Sequence, residues 1–263
     1  MQLNLVPART GMLWVKLGIR TFLKQPLALT GLFFMFMALM TVASQVPYIG
    51  FVIAMTLLPA ATLGLMAATV EATKGKFPMP ILLLAAFRGD KPKTRPMLVL
   101  GGLYAIGFLL AMGASYLVDG GDFARVYLGG STPTREMMMA SEFQAAMWVF
   151  IGLHLPLSLT FWHAPALVYW HDFPPLKSLF FSAVACLRNF WAFAVFGITW
   201  LAVLVMMVVV ITTLATLLGN PELAGDILFP MLLMTAAMFF TSLYFTFRDT
   251  FEQPSEIAPS PDA

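Results

Sequence analysis

Residues 191–218 read WAFAVFGITWLAVLVMMVVVITTLATLL, twenty-eight positions without a single Asp, Glu, Lys or Arg. A helix needs roughly 20 mostly apolar residues to cross a bilayer, so this stretch is long enough to span and to tilt or overhang the interface. Working outward, comparable apolar runs occupy 27–46, 51–70, 97–118 and 145–170 before it and 227–247 after it. The sequence therefore predicts an all-α polytopic membrane protein of six transmembrane helices. Lipid offers no partner for an open backbone, and a helix satisfies its own. Pro156 and Pro165 predict a kink in the fourth run, because proline removes a helical donor and crowds the preceding turn.

Composition agrees with the runs. Apolar residues make up 60% and charged residues 11% of the 263 positions, with a mean hydropathy of +0.84, more apolar surface than a soluble core hides. The expected organisation is one integral membrane domain over 1–250, followed by a proline-rich, acidic tail over 251–263 that composition marks as disordered and cytoplasmic. The first run follows a basic, aromatic segment and lacks a small-residue cleavage pattern, which reads as a retained span. A single cysteine, Cys186, excludes an internal disulfide framework. A net charge of +2 gives no reason to expect nucleic acid as a partner.

Lysine and arginine set the orientation. Thirteen of the fifteen lie before the first span, in the second and fourth connectors or after the last span, and only Arg125 and Arg135 lie on the other side. The populated side is expected in the cytoplasm, with both termini there.

The connectors on that side carry their own pattern. Over 10–25, Lys16, Arg20 and Lys24 recur every fourth position as a basic stripe beside Trp14, Val15, Ile19 and Phe22. Over 175–189, Leu176, Leu179, Phe180, Ala183 and Leu187 share one helical face. Residues 78–96 form a shorter version, an apolar PMPILLLAAF ahead of a charged RGDKPKTRP, and the sequence leaves open whether the connector 71–96 lies in the interface or re-enters the membrane. Together these spacings predict a threefold repeat of an interfacial helix followed by a helical hairpin.

Chemistry-bearing residues are few. His154, His163 and His171 all fall in or at the end of the fourth span, separated by nine and eight residues, too far apart for one helix to present a metal site. Polar side chains bonding between helices are one reading of them, and a proton or substrate path is the other. His171 and Asp172 precede Pro174 and Pro175, where a carboxylate suits the cap of a proline-started helix. With Arg188 and Asn189 they complete the candidate polar set. Lys16, Arg20, Lys24, Arg88, Lys91, Lys93 and Arg95 are candidate contacts for anionic lipid headgroups as well as topogenic charges. Gly101, Gly102, Gly107 and Gly113 suit close helix approach in the third span. No phosphate-binding glycine loop, nucleophile motif or metal cluster is present in the sequence, so no catalytic site, metal or cofactor is expected.

Gly11, Trp14, Gly18, Phe22 and Pro26, then Pro47, Ile49, Gly50, Pro59 and Gly64, then Ala164, Pro165, Ala166, Leu167, Asp172, Pro174, Pro175, Ser182, Arg188 and Asn189 carry a resemblance over residues 8–248. They resemble an uncharacterised family of multi-pass proteobacterial inner-membrane proteins, distantly similar to the YciC-like membrane proteins. The resemblance implies a fold and a location in the bacterial inner membrane, not a reaction. A broader kinship reaches the membrane part of some glycerophosphodiester phosphodiesterases, whose soluble catalytic domain has no counterpart here. The function expected is that of a non-enzymatic organiser binding membrane lipid, with a membrane protein partner or a second copy as a further expected contact. The alternative is a transporter or lipid-handling protein whose site would use Pro156, Pro165, His154 and His163.

Overall fold

The computed structural model describes residues 3–88, 93–220 and 222–251; Lys91 and the expected tail beyond 251 lie outside them. Eleven α-helices and one 3₁₀ segment account for the fold, and no strand occurs among the described residues. In chain order they are α1 (Thr10–Lys24), α2 (Pro26–Ser44), α3 (Gly50–Thr73), the 3₁₀ segment Pro80–Phe87, α4 (Thr94–Asp119), α5 (Asp122–Tyr127), α6 (Arg135–Met139), α7 (Ser141–Phe161), α8 (Ala164–His171), α9 (Pro175–Arg188), α10 (Phe190–Leu217) and α11 (Leu223–Phe251). Among the described residues, six helices are long and apolar enough to cross a membrane, with α7 and α8 counting as one interrupted span over Ser141–His171. A helical segment stands before each pair of spans: α1 before α2, the 3₁₀ segment before α4, and α9 before α10.

Local chemistry explains where the helices stop. Pro26 opens α2 directly after α1, a position whose missing N–H costs nothing. Gly120 ends α4 in the left-handed conformation, at φ 69°. The Asp119 carboxylate then accepts from the N–H groups of Gly121 and Phe123, at 2.8 and 2.7 Å, and starts α5. Pro156 is accommodated inside α7, whereas the break falls at Trp162 and His163, just ahead of Pro165 in the first turn of α8.

The chain divides into two compact units, one drawn from residues 1–42, 60–92 and 184–263, the other from 43–59 and 93–183. In the first unit, α1 lies against α10 and α11, far from it in sequence. Gly11, Trp14, Val15, Gly18 and Phe22 form its buried face. A Cβ on Gly18 would sit 2.5 Å from the Cβ of Ser242, so the contact with α11 requires glycine there. Trp14 packs on Phe193 and Phe196 at centroid distances of 5.2 and 6.0 Å. Elsewhere in this unit the backbone of the 3₁₀ segment presses on α3, where a Cβ on Gly64 would lie 2.6 Å from the Cα of Leu83.

The second unit is built on α4 against α7. Its core gathers Phe108, Met112, Phe123, Phe143, Ala146 and Phe150. Of the four glycines in α4, Gly101 meets the backbone of Thr56 and Gly107 meets Leu157, whereas Gly102 and Gly113 face open space.

Candidate functional site

The exposed side of α1 combines charge and apolar surface. Lys16, Arg20 and Lys24 are exposed, and so are Met12, Leu13 and Leu23. Lys16 and Arg20 rim a groove of about 470 Å³ whose remaining lining is Met12, Val15, Ile19, Leu23 and Thr199. Helical spacing produces this arrangement: positions 12, 16, 20 and 23 fall on one face, and 11, 14, 18 and 22 face the protein. A cation above a run of methyl and methylene groups is the chemistry that takes an anionic headgroup with its chain.

A second set of side chains fastens α1 in place. Trp14 Nε1 donates to Asp249 Oδ2 at 2.9 Å, and Arg248 Nε donates to Asp249 Oδ1 at 2.8 Å. The N-terminal segment is held by the backbone, the Asn4 N–H donating to the Thr250 carbonyl at 2.9 Å. Asn189, buried at the junction of α9 and α10, donates from Nδ2 to the Asn4 carbonyl at 3.0 Å and accepts from the Val6 N–H at 2.8 Å. Asn189 is thus a clamp on residues 4–6, and Arg188 beside it is exposed. Sequence reasoning passed over Asn4 and Asp249, whose only signal is an acid next to the last arginine of a span.

The three histidines of the fourth span have different surroundings. His154 is half-buried in α7, stacked on Phe150 at 5.1 Å and edge-on to Phe108 and Tyr104 at 5.6 and 6.5 Å. His163 is fully buried at the break. Its N–H donates to Ser182 Oγ at 2.9 Å, and the Ser182 hydroxyl donates to the Leu159 carbonyl at 3.0 Å. One hydroxyl on α9 therefore engages a backbone group on each side of the break, accepting from the His163 N–H and adding a second donor to the Leu159 carbonyl, which also takes the Trp162 N–H at 3.4 Å. His171 ends α8, with its ring 6.4 Å from Phe173.

Asp172 takes a left-handed conformation at φ 57°, and its carboxylate pairs with Lys93 rather than with the first turn of α9. Lys177 stands 4.4 Å over the Phe173 ring. Lys93 is mostly covered, while Arg88 and Arg95 are exposed. Outside the spans, burial pushes the Cys186 thiol up to about 12, and the hydrogen bond that Arg125 donates to the Asp122 carboxylate raises its guanidinium further. Among the described residues, no group of three or more His, Cys, Asp or Glu is assembled to hold a metal.

Set beside known proteins, the chain is 36% identical over 262 residues to a "probable inner membrane protein" of Burkholderia thailandensis, an alignment covering 98% of this chain and 97% of that one. No family model matches the chain, and no solved structure matches it. Identity at that level along essentially the whole of both chains, with six helices fit to span, makes this a multi-pass inner-membrane protein belonging to the same family as the Burkholderia protein.

Proposed function

We propose that the protein is a non-enzymatic organiser of the bacterial inner membrane that binds anionic phospholipid along α1, with its termini and basic connectors in the cytoplasm. The observation that carries this reading is the α1 groove, where Lys16 and Arg20 stand over Met12, Val15, Ile19 and Leu23. The opposite face of α1 is packed and hydrogen-bonded, so the stripe is presented on a fixed support instead of a mobile arm. Lys24 and Arg88 add exposed positive charge in the same unit as α1; in the other unit Arg95 is exposed and Asp172 offsets Lys93.

The transporter alternative would seat a solute at the break in the fourth span. Ser182 already engages the His163 N–H and the Leu159 carbonyl there, which favours the lipid reading.

The test compares lipid binding in nanodiscs of phosphatidylcholine with and without phosphatidylglycerol. A basic residue near a charged membrane surface contributes about 1 kcal/mol. The Lys16→Gln, Arg20→Gln double variant is therefore expected to lose about 2 kcal/mol, roughly thirty-fold, of its preference for the anionic lipid. An unchanged preference in a folded double variant would sink the proposal.

A further inference from the structure

The described part of the connector that follows α3 turns back along α3 and α2. Its starting point is fixed by Gln25, which sits just ahead of α2 and donates from Nε2 to the Lys76 carbonyl at 3.0 Å. Seven residues later the backbone of Leu83 rests on Gly64. Gly64 lies nine residues from Thr73, the end of α3, which is about 13 Å along a helix axis. Ile81, Leu83 and Leu84 border a groove against Met35, Leu39 and Val42 of α2. Met35 is ten residues from Gln25, about 15 Å by the same rise. Two independent helices thus agree that the 3₁₀ segment reaches well into a hydrocarbon layer of about 30 Å.

Composition and backbone permit such depth. No ionisable side chain occurs between Lys76 and Arg88. Non-helical backbone survives at membrane depth only when buried in protein or lining a cavity. Short-range bonds such as the Leu82 N–H to the Met79 carbonyl, at 3.0 Å, satisfy part of the segment internally. Gly64 lets the backbone at Leu82 and Leu83 lie directly on α3. The groove left on the α2 side holds about 500 Å³ and is lined entirely by apolar side chains. Lys76 and Arg88, both exposed, flank the segment at its two ends.

We infer that Pro80–Phe87 is a re-entrant segment and that its groove with α2 seats one acyl chain of an anionic phospholipid, whose headgroup meets Lys76 and Arg88. Aliphatic walls at hydrocarbon depth exclude a polar solute, and the flanking cations select the charge of the headgroup. This site is separate from the α1 groove and stands whether or not α1 binds lipid.

Two experiments on the full chain test it in phosphatidylcholine/phosphatidylglycerol nanodiscs. Single-cysteine variants Ile81→Cys and Lys76→Cys, each with Cys186→Ala, are treated with a membrane-impermeant maleimide. Lys76→Cys is expected to react at least tenfold faster, and equal rates would overturn re-entry. Phosphatidylglycerol carrying a diazirine in its acyl chain is then photolysed and the adducts mapped by mass spectrometry. Adducts are expected on Met35–Val42 and Pro80–Leu84, reduced at least fivefold by Ala38→Trp, with adducts on the exposed Val205–Val210 face of α10 unchanged. Adducts insensitive to Ala38→Trp would mark ordinary lipid contact and overturn the seat. An equal yield from the matching phosphatidylcholine probe would overturn the headgroup assignment.

Discussion

Asn189 and Cys186 sit three residues apart and show how little of a residue's role is written in its identity. The Asn189 side chain serves residues 4 and 6 through one donor and one acceptor. Replacing it with alanine leaves the partly buried Asn4 carbonyl and Val6 N–H without this partner, which costs up to about 1–3 kcal/mol. Asn189→Ala is expected to lower the unfolding midpoint of the detergent-solubilised protein, and an unaltered midpoint would show that water replaces the amide. Cys186 is buried, and its raised value near 12 leaves on the order of one thiolate in ten thousand at pH 8. The folded protein should resist thiol reagents at pH 8 and react promptly once denatured; the comparison needs only a thiol titration with and without denaturant. His163 was legible as an intramembrane polar group. Its environment was not, because the partner of its backbone, Ser182, lies on another helix nineteen residues on.

At the scale of elements, the spans and the amphipathic α1 follow from hydrophobic period and charge, which act locally and can be counted along the chain. What α1 touches does not. Trp14, Gly18 and Phe22 declare a buried face, but lipid-facing and protein-facing surfaces of α10 and α11 are similarly apolar, and the sequence carries no mark of which face receives it. The break in the fourth span is a mixed case. Pro156 and Pro165 announce an interruption, and only the structure shows that α7 absorbs the first while the second opens α8. Ser182→Ala removes the hydroxyl that accepts from the buried His163 N–H, and a cost of about 1–3 kcal/mol is expected. Faster amide exchange at His163 is the specific readout, and unchanged protection there would mean the break is held by side-chain packing.

The molecule's first unit is assembled from three stretches of chain, with residues 4–14 fastened to residues 249–250. Removing residues 2–8 deletes the Asn4 and Val6 bonds while leaving every span intact, so it is expected to lower thermal stability and speed proteolysis near the end of α11 without preventing insertion. Retained protection there would show that Trp14 and Asp249 suffice alone. Pairing of the first helix with the last has a timing consequence in the cell. Trp14 and Asp249 are 235 residues apart, so at about 5–20 residues per second the ribosome needs roughly ten to fifty seconds to supply the partner. Throughout that interval the nascent α1, with Trp14 and Phe22 uncovered, must be stored somewhere, and its basic amphipathic character suits it to wait on the membrane surface until synthesis of α11 ends the delay.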